Sequence, residues 1–298
     1  MQNIKENFSI KDLENLSGIK AHTIRIWEKR YGLLEPQRTD TNIRYYDIEN
    51  LQKLLNITLL YNNGFKISKI AKFQEKEIPL LVKEIISENS IKNRSINAFK
   101  LAMLNFDQTL FINAYNSLIL DKSFREIFHD VFVPLLNEIG LLWQTNTIKP
   151  SHEHFITNLI KQKILINTEK LQLTEPNNKE KTFVLFLPEN EIHEIGLLYL
   201  NYEITLRGYQ SIYLGQAIPT ESLSDLHNYY SNINFLSYFT IQPAYDRVDS
   251  YLKEFQNEVL KPNNSKLWIL GKQTSNIDTA TFSGVEIFNS IQSLVKQL

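Results

Sequence analysis

The segment Glu191-Ile-His193-Glu-Ile-Gly196 sets an imidazole two residues after a carboxylate and three before a glycine. An imidazole can coordinate a metal through one ring nitrogen while an acidic neighbour such as Glu191 fixes its tautomer through the other. Gly196 removes a side chain where a bulky macrocycle would need to approach the backbone. A second cluster is Trp143 followed, after nine residues, by Glu153-His154 at a helix start. A flat indole with two polar groups could form the cover and walls of a pocket. A third lies between Lys20 and Arg44, where Lys20, Arg25, Lys29, Arg30, Arg38 and Arg44 outnumber Glu28, Glu35 and Asp40. Such a local cationic excess suits a surface that faces phosphates. His152 and His154 could be read as a zinc pair, but residues two apart point to different faces of a helix, so zinc is not expected. The chain has no cysteine, which excludes disulfide and thiolate chemistry and suits a reducing cytosol. Lys plus Arg is 32 against 33 for Asp plus Glu, so overall charge carries no message about nucleic acid. No apolar run approaches the ~18–20 residues a membrane helix needs, and a cytoplasmic protein is expected.

These groups must be positioned by more than one domain, since 298 residues exceed a usual single core. Ser9 to Gly18 reads as a short helix with a capping serine and a terminating glycine. Lys20–Tyr31 is a second helix, with Ile24 and Trp27 facing a core and His22, Arg25 and Lys29 on another arc. Gln37–Tyr46 reads as a hairpin, and helices follow at 47–62 and 67–72. Apolar residues at three- and four-residue spacing then predict helices near 91–103, 108–118, 124–142 and 154–171. Thr174–Lys181 reads as a polar linker around Pro176. Beyond it, short apolar runs at 182–187, 210–215, 234–240 and 266–271 alternate with helical patterns at 193–206, 221–229 and 245–260. That alternation predicts a parallel, doubly wound sheet with ligands at the strand C-terminal ends. The expected fold is therefore multidomain, α + α/β. It comprises a winged helix-turn-helix (1–78), a four-helix bundle (90–173) and a Rossmann-like parallel sheet (181–298).

The string Thr23-Ile-Arg-x-Trp27-Glu-Lys-Arg-Tyr-Gly-Leu-Leu34, with Pro36-x-Arg38-Thr and Asn42-x-Arg44-Tyr-Tyr46, resembles the MerR family of transcription regulators. The resemblance implies a homodimer on double-stranded promoter DNA with an inverted repeat, the second helix in the major groove and the wing on the backbone. His22 and Arg25 would then lie near bases with Lys29 beside them. Arg38, Arg44 and Tyr45 would meet phosphates, while Trp27 and Tyr46 pack.

The bundle and sheet together resemble a cobalamin-binding module, a helical cap before a Rossmann-like domain with the pattern E/D-x-H-x-x-G. Joined to the head, they resemble the CarH/LitR group of light-responsive repressors, which shares the Trp-x9-Glu-His spacing. This implies adenosylcobalamin as cofactor, His193 as lower axial ligand to its cobalt, and Trp143, Glu153 and His154 around the adenosyl group. Glu191, Gly196, Ser237 and Gly271 complete the implied cofactor site. Cofactor binding would assemble a DNA-binding oligomer that light releases, with no enzymatic activity. The chain departs from the pattern in three places. Ser237-Tyr-Phe239 replaces Ser-x-Leu, Leu270-Gly271 replaces a Gly-Gly pair that leaves room for the nucleotide tail, and Gln144 replaces a histidine after the pocket tryptophan. Two alternatives stand beside this reading: a regulator that keeps the fold but works without cofactor, and a corrinoid carrier for methyl transfer.

Overall fold

The computed structural model describes residues 7–39, 41–74, 76–84, 88–145, 147–261, 265–274, 277 and 281–298. Contacts divide the chain into two compact units, residues 1–160 and 161–298.

In the first unit, α1 (Ile10–Ser17) opens with a reciprocal cap. The Asp12 N–H donates to Ser9 Oγ and the Ser9 N–H to the Asp12 carboxylate. It stops at Gly18, whose φ of +77° favours glycine. The start of α2 (Ala21–Tyr31) has no cap from its own N-cap residue, Lys20. Glu14 of α1 takes over, accepting the Ala21 N–H at 3.1 Å and the Lys20 ammonium at 3.2 Å. These bonds hold its carboxyl at about 2, well below the usual range. Ile24 and Trp27 are buried as expected, with Trp27 edge-on to Tyr61 at 5.2 Å. The wing is β1 (Gln37–Arg38) paired antiparallel with β2 (Arg44–Tyr45). After α3 (Ile48–Asn62) and α4 (Ile67–Ile70) comes α5 (Glu77–Glu84), a helix the periodicity had not suggested.

The bundle consists of α6 (Glu88–Asn105), α7 (Gln108–Ile119), α8 (Phe124–Ile127), α9 (Val133–Gln144) and α10 (Pro150–Gln172). The helix expected over 124–142 is interrupted by a π-helical turn, Phe128–Phe132. Pro134 explains it, because its missing N–H and its ring both oppose an ordinary α-turn there. Phe99, Phe111 and Phe132 form the aromatic centre, with ring centroids 4.9–6.3 Å apart.

In the second unit, strands alternate with helices. They run β3 (Asn178–Phe186), α11 (Ile195–Leu206), β4 (Tyr209–Gly215), α12 (Glu221–Ser224), β5 (Ile233–Tyr238), α13 (Val248–Phe255), β6 (Lys266–Leu270), β7 (Val285–Phe288) and α14 (Ile291–Val295). All neighbouring strands are parallel, in the order β4-β3-β5-β6-β7. Phe183 and Leu185 pack on the α11 side, while Val184 and Phe186 pack on the α13 side. Burial on both faces explains why β3 reads as an unbroken apolar run rather than an alternating one. The sheet has a fifth strand, β7, and a final helix that the sequence pattern did not reveal. The part of the expected linker from Asn178 onward is already strand.

Candidate functional site

The strand order reverses between β3 and β5, so the loops that follow these two strands diverge and leave a crevice. Glu191 sits at that point. It is fully buried, and its carboxylate ties the two loops together. One oxygen accepts the backbone N–H of Ile192 and His193, each at 2.9 Å, and lies 2.6 Å from His193 Nδ1. The other accepts the N–H of Ile241 at 2.7 Å and of Gln242 at 2.9 Å. Burial alone would raise its pKa, but the Gln242, Ile241 and His193 N–H groups and the His193 ring outweigh it and hold the carboxyl at about 2.

An ionised carboxylate can only accept, so the His193 ring donates from Nδ1. The helix expected from His193 begins only at Ile195, which leaves the ring on the loop with its side chain 43% exposed. With Nδ1 held by Glu191, Nε2 is the nitrogen such a ring would offer to a metal centre such as cobalt. Ile192, Ile241 and Tyr245 are more than half exposed on the same two loops. They add apolar surface at the crevice, so these residues fit a large, flat, largely apolar ligand.

Other predicted residues have local partners. Ser237 is fully buried at the end of β5 and donates to the Phe186 carbonyl at 2.8 Å. A Cβ at Gly196 would lie 2.6 Å from the Tyr238 ring, so what the missing side chain accommodates here is that ring. Gly271 has φ +122°, and a Cβ there would lie 2.3 Å from the Phe239 carbonyl oxygen. Leu270 is 1% exposed and belongs to the core on the α11 side. One network was not anticipated: Glu194, beside His193, accepts from Lys161 and from the Tyr213 hydroxyl, each at 2.9 Å. Burial first, and then the Glu194 charge, push the Tyr213 phenol far above its ordinary pKa. Only proximity across the fold reveals it, since the three residues are far apart in sequence.

In the first unit, Trp143 stands half-exposed near the end of α9, with Glu153 half-buried and His154 exposed on the first turn of α10. Gln144 is the last residue of α9. His152 faces inward, its ring stacked on Phe106 at 4.8 Å and its Nδ1 accepting the Lys149 N–H. His152 and His154 therefore lie on different faces, and among the described residues no three His, Cys, Asp or Glu cluster to hold a metal ion. Two contacts join the loop and bundle to the head. Asn15 donates to Thr147 Oγ1 at 2.8 Å, and the buried Lys100 pairs with Glu138 and donates to the Leu16 carbonyl.

On the head, His22, Arg25, Lys29 and Arg38 are exposed. Arg44 is tied back instead, its Nε donating to Glu28 Oε1 at 3.0 Å while the Tyr46 hydroxyl donates to Glu28 Oε2 at 2.8 Å. The wing is thus braced against α2 by Glu28. Tyr45 donates to Gln37 Oε1 at 2.6 Å, and Arg38 bonds Asn42 across the wing tip. Among the described residues, no helix is long and apolar enough to cross a membrane.

Residues 8–77 match the model of the MerR HTH family regulatory protein, and residues 95–166 match that of the B12 binding domain. The chain thus carries a MerR-type HTH region followed by a B12-binding domain, and these matches support a cobalamin cofactor. Among individual proteins it is similar to the HTH-type transcriptional repressor CarH of Myxococcus xanthus, at 25% identity over 225 residues, 74% of each chain. It is also similar to the repressor CarA of the same organism, at 24% identity over 217 residues, covering 72% of this chain and 70% of that one. The monomethylamine corrinoid protein of Methanosarcina barkeri shares the fold, with a TM-score of 0.57 at 13% identity, over 71% of this chain and 97% of that one.

Proposed function

We propose that the protein is a repressor governed by adenosylcobalamin and light, with a DNA-binding module at 1–78, a helical cap at 90–173 and a cobalamin-binding sheet domain at 181–298. The observation that carries this reading is the Glu191–His193 pair at the strand reversal, a buried carboxylate holding Nδ1 of a partly exposed imidazole. His193 would ligate the cobalt, with Glu191 fixing its tautomer and Gly196, Ser237 and Gly271 in the surrounding domain. Trp143, Glu153 and His154 would enclose the adenosyl group. When bound, the cofactor would supply a light-labile cobalt–carbon bond and the protein a two-state assembly. The protein would act in the cytoplasm as a homo-oligomer without catalysis, on an inverted repeat in double-stranded promoter DNA.

The test is an absorption spectrum of the protein mixed with adenosylcobalamin in the dark, desalted, and then illuminated. Retained cobalamin whose spectrum changes on illumination is the expected result. Retention without change would leave a sensor of cobalamin level, and no retention would leave a regulator that works without cofactor. His193→Ala is expected to shift the dark spectrum and weaken retention by about tenfold or more, roughly 1.4 kcal/mol. A spectrum identical to the wild type would remove His193 from the cobalt.

His22, Arg25 and Lys29 would face the major groove, with Arg38, Arg44 and Tyr45 toward the backbone. Arg44 would reach a phosphate from its Glu28 brace, so Arg44→Ala is expected to weaken binding to all sequences. It should also reduce the slope of log affinity against log salt by about 1. An unchanged slope in gel-shift titrations would confine Arg44 to bracing the wing.

A further inference from the structure

His193 stands between two anchored carboxylates. Glu191 ties its loop to the segment after β5, and β5 and β4 flank β3 on opposite sides. Glu194 holds the β4 side. It occupies the N-cap of α11, where a side-chain oxygen can accept first-turn N–H groups, yet it makes no such bond. Its carboxylate accepts instead from the Tyr213 hydroxyl of β4 and the Lys161 ammonium of α10, each at 2.9 Å. The Glu194 and Lys161 side chains are only 17% and 24% exposed, so water screens this pair less than a surface one. The Glu194 backbone is fixed as well, its N–H donating to the Ile192 carbonyl at 3.0 Å and its carbonyl accepting the Leu198 N–H at 2.8 Å. Glu191 thus holds the imidazole through Nδ1, while Glu194 holds the chain that carries it.

We propose that Glu194 is a positioning residue for the axial imidazole: held by Tyr213 and Lys161, it sets where the His193 backbone stands and so where Nε2 meets the cobalt. The inference rests on the cobalamin reading above. To Glu191, which governs the tautomer of the ring, it adds a separate group that governs its place. A metal ligand works only within a small range of position and angle, so a loop released on the β4 side would ligate less completely. The charge of Glu194 is not the agent, because the Lys161 ammonium offsets it at hydrogen-bond distance. What counts is the pair of hydrogen bonds, one to a strand of the sheet and one to a long helix.

The experiment is an absorption titration of the full chain with hydroxocobalamin, for the wild type, Glu194→Ala, Glu194→Gln and Tyr213→Phe, each also combined with His193→Ala. With His193 in place, Glu194→Ala is expected to weaken binding about tenfold and move the saturated spectrum toward that of His193→Ala. Tyr213→Phe should move both in the same direction, by about threefold in affinity. It loses one hydroxyl and keeps its ring in the core, and so carries the test if the alanine variant folds poorly. Glu194→Gln should stay within about twofold of the wild type, since its amide oxygen can accept from Lys161 while its NH2 donates to the Tyr213 oxygen. On the His193→Ala background none of the three changes should alter affinity by more than about twofold. A wild-type spectrum and affinity in Glu194→Ala and Tyr213→Phe would overturn the inference and leave His193 on the cobalt. Equal losses with and without His193 would also overturn it, by making the network a general support of the domain. So would a glutamine variant as weak as the alanine one, which would make charge the agent. Hydroxocobalamin bound by none of the proteins would remove the cobalamin reading and this inference together.

Discussion

Glu191→Ala should destabilise the second unit by roughly 3–5 kcal/mol, the cost typical of removing one partner from a buried, charged hydrogen-bond network. Four backbone N–H groups and the His193 ring lose their common acceptor, and two loops lose the group that joins them. Glu191→Gln should rescue little, because an amide turned to accept from His193 presents its NH2 to the N–H groups of Ile241 and Gln242. The effect depends on pH in a defined direction. The folded carboxyl sits at about 2 against an ordinary value of 4.5, so its ionised form stabilises the fold. That contribution, about 3 kcal/mol, is fully present above pH 4.5 and fades as pH falls toward 2. Urea unfolding of wild type and Glu191→Ala at several pH values should therefore show two curves that converge below pH 4.5. Curves that stay parallel to the acid limit would mean the carboxylate is not the ionised hub described.

Gly271→Ala should cost roughly 3 kcal/mol or more, and lower the melting temperature by roughly 6–12 °C. The Phe239 N–H donates to the Leu270 carbonyl at 2.8 Å and the Gln273 N–H to the Phe239 carbonyl at 3.1 Å, which pins the ends of β5 and β6 together. Into that junction alanine would bring a methyl 2.3 Å from the Phe239 oxygen, 2.7 Å from its carbonyl carbon and 2.8 Å from its nitrogen. All three are backbone atoms, so no side-chain rotation relieves the clash, and φ of +122° is itself unfavourable for alanine. Calorimetry on the full chain measures the shift. A change of less than about 2 °C would show that the junction yields. The clash with Phe239 gives the glycine a structural reason here, whatever ligand the domain holds.

Much of this architecture was legible before folding. The Ser9 cap, the Gly18 stop, the Trp27 core position and the wing all follow from rules that act within a few residues. So do the bundle helices and four of the five strands. Apart from α5, the elements that escaped are short or strained. β7 spans only Val285–Phe288, α14 only Ile291–Val295, and the π-turn before Pro134 keeps the apolar spacing of an ordinary helix. At the candidate site, the Glu191–His193 partnership could be read from a spacing of two. The bonds from Glu191 to Ile241 and Gln242 join residues 50 and 51 apart and left no local trace. Gly196 shows how a sound local signal can lead to a different cause. The glycine does mark a close approach, but the approaching group is the Tyr238 ring. Arg44 is similar: its position in the wing was legible, and its brace to Glu28 was not.

The sequence by itself determined which groups carry chemistry and which local structure holds them, because caps, turns and periodicity are settled by near neighbours along the chain. Only the tertiary structure decided which of those groups meet. The order β4-β3-β5-β6-β7 brings the loops after β3 and β5 to one crevice, and with them the carboxylate, the imidazole and the aromatic ring. Strand order is set by packing over the whole sheet, and several orders are compatible with the same alternation of strands and helices.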